Sequence, residues 1–285
     1  MPIKHQVYTA DKFLEIIPDL KFGKLENFPN SENGRKVNIF SPEDLIVDFQ
    51  GGLLDDPLDC PFGITSFTDE QTGKVRWTCT FTPKVGSAQA TALAALEDRV
   101  VKEGQKNPEW FTKAGWPKKL VNDNGISMNF NSILKESTNE EYPDPQWKTT
   151  VTPQNISVIV RDEDTNVYTS HKPNGYQKIE KKRCKTIPIA SLAYIWFAGG
   201  KWGIKFYLNK IIVTHIDKGN DMTSLSNIIG MEGIQVKIVE DAPENKAPEP
   251  TSDAVDNDMD VEVAEPAPRR KIQPVEDLNK ILLGE

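Results

Sequence analysis

The sequence predicts a mainly β protein, an antiparallel barrel or sandwich with one long helix and a disordered acidic C-terminal tail. Three observations carry this expectation. Most apolar segments alternate with polar residues at period two, one long segment switches to the helical period, and the composition breaks abruptly after Val239. Strands without βαβ alternation point to antiparallel pairing rather than to a doubly wound sheet.

Residues 1–35 read as an N-terminal extension, with a short helix over Asp11–Ile17 followed by a Gly/Asn/Pro-rich loop. From Lys36 strand patterns dominate: KVNIF (36–40), LIVDFQ (45–50) ahead of Gly51-Gly52, then ITSF (64–67) and KVRWTCTFT (74–82) on either side of a hairpin turn at Asp69–Gly73. Val75, Trp77, Cys79 and Phe81 alternate with Lys74, Arg76, Thr78 and Thr80, so one face of that strand is buried. Ser87 is placed to cap a helix reaching Lys102, with Ala92, Leu93, Leu96 and Val100 as its apolar stripe. SMNFNSIL (127–134), NISVIVRD (155–162), NVYTS (166–170), LAYIWF (192–197), WGIKFYLNKIIVTHI (202–216) and GIQVKIV (233–239) complete the strands of a folded domain spanning 36–239. Residues 240–271 form an acidic, Pro-rich linker without aromatics, expected to be disordered. Residues 272–285 read as a short terminal recognition helix, with Leu278, Ile281 and Leu282 at helical spacing as its partner-binding side.

The net charge of −8 divides unevenly along the chain. Residues 240–285 hold 13 acidic and 5 basic residues, which leaves the body neutral at 29 of each. The three cysteines, Cys60, Cys79 and Cys184, are widely spaced and form no CxxC pair, as expected of free thiols in a reducing compartment. His5, His171 and His215 sit at no metal-ligand spacing, and the loop acids Asp55, Asp56 and Asp59 or Asp162, Glu163 and Asp164 read as solvated; no metal and no cofactor is expected. The N-terminus lacks the apolar core of a signal peptide, and the longest apolar run, Ile187–Gly200, is too short to cross a bilayer, so the expectation is a soluble intracellular protein without a membrane partner. Gly199-Gly200-Lys201 is followed by Trp202 and has no P-loop spacing before it; no GxSxG or HExxH occurs, so no enzymatic chemistry is expected.

Between Tyr168 and Lys210 stand nine basic residues against one acid, Glu180, interleaved with eight aromatics. Lysine and arginine neutralise phosphates, and exposed aromatic faces stack on unpaired bases. Lys178, Lys181, Lys182, Arg183 and Lys185 would draw in a nucleic-acid backbone, while Tyr176, Lys201, Lys205 and Tyr207 would line the strand-binding face. Alternation sorts this last strand: Trp202, Ile204, Phe206 and Leu208 lie on one face, taken as core, and Lys205 and Tyr207 on the other.

The run Ile195-Trp196-Phe197-Ala198-Gly199-Gly200-Lys201-Trp202-Gly203-Ile204-Lys205-Phe206-Tyr207, continuing to Val213, resembles the closing strands of the single-stranded-DNA-binding proteins of tailed phages and nucleocytoplasmic large (giant) DNA viruses. Cys60-Pro61-Phe62-Gly63-Ile64, Asn107-Pro108-Glu109-Trp110-Phe111 and Tyr142-Pro143 fit the same pattern, so the resemblance covers roughly residues 58–213. It implies an OB-fold-like antiparallel barrel with an inserted helix and extended hairpins. It also implies a role in viral DNA replication and recombination, and an acidic tail that recruits polymerase, helicase or primase. A viral protein of this kind works in the host nucleus or in a cytoplasmic viral factory. RNA is a lesser ligand for the same groove, and a homodimer is among the open oligomeric states. The rival expectation is a virion structural or scaffold protein whose tail is a tether.

Overall fold

The computed structural model describes residues 4–28, 34–70, 73–137, 144–172 and 174–217. The expected strand 233–239, the acidic segment 240–271, the terminal helix with Leu278, Ile281 and Leu282, and Tyr142-Pro143 lie outside the described residues.

Two long strands, β13 (Cys184–Ala198) and β14 (Lys201–Ile216), form an antiparallel ribbon. Gly199 and Gly200 close it with φ of 58° and 72°, the left-handed pair that a two-residue hairpin needs. The ribbon organises the other strands. β3 (Arg35–Phe40), β4 (Ile46–Gln50) and β5 (Leu58–Cys60) pair antiparallel with successive stretches of β13. Pro188, which lacks an N–H, falls where the partner of β13 changes from β5 to β4. On β14 lie β8 (Phe130–Asn131), β10 (Gln146–Val151) and β11 (Ser157–Arg161), all parallel to it. Outer strands extend the sheet: β1 (His5–Thr9) is parallel to β4, and β2 (Lys21–Asn27) pairs with β3. β7 (Val75–Phe81) and then β6 (Ile64–Thr68) continue beyond β10, β9 (Leu134–Lys135) also pairs with β10, and β12 (Tyr168–His171) pairs with β11.

The protein is thus mainly β with a few helices, but two expectations need correction. The sheet is not closed into a barrel, and its pairing is mixed rather than antiparallel throughout. β5 meets the end of β7 through one bridge, Asp59 to Thr82, where a barrel would need a ladder. The physical reason is in the sequence of that seam: β5 is three residues long, and Pro57, Pro61 and Pro83 around it have no N–H to offer.

The expected helix appears as α2 (Ala88–Lys106), its N-terminus capped by Ser87 Oγ, which accepts from Ala90 N at 3.2 Å. Ala92, Leu93, Leu96 and Val100 are buried, as their spacing predicts. It is joined by α1 (Ala10–Ile16), α3 (Pro108–Lys113) and α4 (Asp123–Met128). α4 takes the start of the expected strand 127–134, because Asn122 Oδ1 accepts from Gly125 N at 2.9 Å and starts a helix there. The remainder becomes β8 and β9, tied to α2 by Glu97, whose Oε1 accepts from Ser132 Oγ at 2.7 Å, from Leu134 N at 3.1 Å and from Ile133 N. Residues 5–27 enter the same core: Phe13 is fully buried with its ring 4.9 Å from that of Phe49, and the expected loop after α1 contains strand β2. Cys60, Cys79 and Cys184 are free and buried where β5, β7 and β13 meet, with the Sγ atoms of Cys60 and Cys79 3.3 Å apart. Hydrogen bonding to Cys60, with burial, pushes the Cys184 thiol far above its ordinary range.

Trp202 is the anchor between sheet and helices. Its indole N–H donates to Ile126 O at 2.8 Å, its ring stacks on Phe197 at 5.9 Å, and Phe111 meets it edge-on at 5.0 Å. α2 passes over this ring at Gly104, where an added Cβ would lie 2.6 Å from the indole. Gly to Ala within a helix ordinarily stabilises by about 1 kcal/mol, whereas overpacking a rigid ring costs about 1–3 kcal/mol. Gly104→Ala is therefore expected to destabilise, seen as a lower urea midpoint at unchanged m-value; a raised midpoint would show that the ring yields.

Candidate functional site

The sheet has a buried inner face and an outer face fixed by strand register. Val37, Ile195, Phe197, Trp202, Ile204, Phe206, Leu208, Val151, Cys79 and Phe81 point inward and are buried. Directly paired residues of neighbouring strands share a face, so Lys36 aligns with Trp196, Trp196 with Gly203, Tyr194 with Lys205, and Ser191 with Tyr207. Tyr207 aligns in turn with Thr150, Thr150 with Thr78, Thr78 with Thr65, and Phe67 with Arg76. Lys148 shares the outer face of β10 with Thr150 by alternation.

This face carries aromatic rings and cations together. The Tyr194 and Tyr207 hydroxyls are 3.1 Å apart, Phe28 meets Tyr194 edge-on at 5.3 Å, and Lys36 Nζ lies 5.9 Å from the Tyr194 centroid. Lys205 Nζ lies 5.6 Å from the centroid of Tyr207. Burial first, then the like charges of Arg76 and Lys148, lower the pKa of Lys205 below the ordinary lysine value. Among the described residues no carboxylate forms an ion pair with Lys205 or Lys148; Arg76 has Asp69 at 3.8 Å. Three cations therefore share a face on which they repel one another.

A bulge divides this face along the ribbon. Leu208 pairs with Ala190 and Lys210 with Ile189, leaving Asn209 as the extra residue. One inserted residue reverses the alternation. Beyond it, Ile212, Ile187 and Ile189 take the outer positions and form a small apolar cluster with Ile159 and Tyr168. At the boundary, buried Asp48 accepts from His5 Nδ1 at 3.1 Å and from Ser191 Oγ, while Asn209 Nδ2 donates to the same hydroxyl. The carboxylate stands between serine and histidine, so His5 is not placed to take the serine proton and the group has no nucleophilic relay.

The residues singled out in the sequence are spread over three places. Lys205 and Tyr207 lie on the outer face, and Trp202 and Phe206 are buried beneath it. Lys201 is exposed at the ribbon tip, with Nζ 3.3 Å from Asn129 Oδ1. The others precede or begin β13, at its Cys184 end and beside the start of β6, where Ile64 O accepts from Lys181 N at 3.1 Å. There Tyr176 is half-buried, its ring 5.0 Å from that of Trp77, and Lys178, Lys181 and Lys182 are exposed. Arg183 pairs with Asp217 at 3.2 Å, and Lys185 with Asp59 at 2.7 Å, so part of the basic cluster is already neutralised. Among the described residues no His, Cys, Asp and Glu cluster is arranged to hold a metal ion, and no helix is long and apolar enough to cross a membrane. The loop acid Asp56 lies 3.4 Å from Lys84, and Glu163 reaches His215.

Arg76, Lys148, Lys36 and Phe67 were not among the residues singled out in the sequence. Alternation in 74–82 already places Arg76 opposite the core; for Lys148 the signal is weaker, because the inward position between Trp147 and Val151 in QWKTTV is a threonine, Thr149.

No family model and no curated protein matches the chain. Among solved structures it is similar to the single-stranded DNA-binding protein from bacteriophage Enc34 in complex with ssDNA, at 10% identity and a TM-score of 0.36, over 69% of this chain and 98% of that one. A second structure of that phage protein aligns at 9% identity and a TM-score of 0.35 over 71% and 98% of the two chains. Its C-terminal truncation aligns at 12% identity and a TM-score of 0.33 over 68% and 97%.

Proposed function

We propose that the protein binds single-stranded nucleic acid, DNA in the first place, on the outer face of its sheet and without turnover. The observation that carries this reading is the grouping of Lys205, Lys148 and Arg76 with Tyr207, Tyr194 and Trp196 on one face. The cations are short of counter-charge, and phosphates supply it. Rings on a strand face stack on unpaired bases, which a duplex keeps inside its own stack. Lys178, Lys181 and Lys182 add a second basic patch.

The finer parts of the reading rest on the sequence. They are an OB-type mode of strand binding in viral DNA replication and recombination, an acidic 240–271 segment that competes for the basic surface, and Leu278, Ile281 and Leu282 as the contact for replication proteins.

Fluorescence anisotropy of labelled oligo-dT with the full chain, at two salt concentrations and with a duplex control, tests the reading. Single-strand preference and a fall of affinity with salt are expected. The triple variant Lys205→Ala, Lys148→Ala, Arg76→Ala should reduce the log–log salt slope by about 2, at roughly 0.7 per phosphate contact on a single strand. No binding to either form would transfer the chain to the scaffold class.

A pH dependence follows from Lys205. Its lowered pKa in the free protein rises when a phosphate is bound, so binding takes up a proton and weakens as pH climbs toward the ordinary lysine value. Affinities measured from roughly pH 7 to 10 should fall for the wild type and stay flatter for Lys205→Arg, whose guanidinium remains charged throughout. Parallel curves for the two proteins would place Lys205 away from the phosphates.

A further inference from the structure

The outer face ends at β6, the edge strand beyond β7. One phenylalanine before this strand and one within it lie largely in water: Phe62 is 53% exposed and Phe67 67% exposed. Neither covers the core, although an exposed ring forfeits about 25 cal/mol for each Å² left in water.

Both stand beside cations. Phe67 is directly opposite Arg76, whose side chain is 71% exposed. From this pair the outer face continues through hydroxyls: Thr65 Oγ1 and Thr78 Oγ1 are 3.3 Å apart, and the row Thr65, Thr78, Thr150, Tyr207 crosses four strands. At about 4.8 Å per strand step the row is about 14 Å long. Its floor is small and polar, suited to hydrogen bonding with phosphate oxygens or base edges and not to an apolar partner.

Phe62 precedes Gly63, where an added Cβ would lie 1.8 Å from Ile179 O and 2.7 Å from Lys182 O. The β5–β6 turn is thus pressed against the Ile179–Lys182 turn. Two backbone hydrogen bonds hold it there, Ile64 N to Ile179 O at 3.2 Å and Lys181 N to Ile64 O at 3.1 Å. Phe62 is therefore held next to the turn that carries the exposed Lys181 and Lys182.

We propose that edge strand β6 is a second arm of the nucleic-acid site, with Phe62 and Phe67 as base-stacking residues and Lys181, Lys182 and Arg76 holding the phosphates between and beside them. The bound strand runs along β6 from the basic turn and passes onto the outer face at Thr65 and Thr78. This rests on the reading given under Proposed function, and it joins the two basic regions that β13 holds apart.

The test uses Phe62→Ala and Phe67→Ala in the full chain, with oligo-dT affinity measured at several salt concentrations. Each substitution should weaken binding about 5- to 150-fold, the loss of one stacked base, with the salt slope unchanged because no phosphate contact is removed. Phe67→Trp should restore wild-type affinity. Wild-type affinity in both alanine variants overturns the second arm and leaves the outer-face site standing. Absence of binding by the unmodified chain overturns both. A concentration-dependent dimer of the DNA-free protein that Phe67→Ala abolishes in sedimentation would also overturn the proposal, by assigning the edge to a second copy.

Discussion

The pairing of β13 with β14 is the constraint on which the rest of the structure depends. The two strands supply the template for β3, β4, β5, β8, β10 and β11, and through them for the outer strands. Their inward residues, Phe197, Trp202 and Phe206 among them, are also what the helices pack upon. The bulge at Asn209 then decides what each half of the outer face does. On one side of it, side chains that would need burial meet β11 and β12; on the other, Lys205 and Tyr207 remain open. A ribbon without the extra residue would turn Lys210 to the core side.

Charge is distributed against stability where the proposed function lies. The body is neutral in sum, with 29 acids and 29 bases in residues 1–239, but the signs are not evenly mixed. Acids pair with Arg183 and Lys185 near the seam, while Lys205, Lys148 and Arg76 crowd together on the open face. Self-repulsion of this kind weakens the folded state and strengthens attraction for a polyanion, two effects of the same field.

Local sequence revealed the parts of this arrangement that one strand or helix contains. The alternation of Trp202 to Leu208 named the inward residues correctly, and that of 75–81 held for Cys79 and Phe81 but not for Val75, which is 53% exposed at the start of its strand. The same logic put Lys205 and Tyr207 on the outward face. Elements whose inward residues are polar or sparse escaped: β10 buries Thr149, and β2 has its partner on one side only. Strand 127–134 was misjudged because the Asn122 cap lies outside its apolar pattern. The site was hidden to a similar degree. Continuity in sequence made Lys181–Lys185 and Lys205 look like one patch, whereas the first group lies at the Cys184 end of β13, Lys205 pairs with Tyr194 near its other end, and the cations beside Lys205 come from β7 and β10. Register between distant strands is a tertiary property that no window of sequence contains.

The position of the ribbon in the chain has a consequence for biosynthesis. β13 begins at Cys184, so most other strands leave the ribosome before their template exists. Until then β3, β4 and β10 have open edges and apolar faces that pair readily with other chains. Nascent chains of this protein should therefore depend on holding chaperones during elongation and complete their fold in one late step, and fragments ending before residue 184 should accumulate as aggregates rather than as smaller domains.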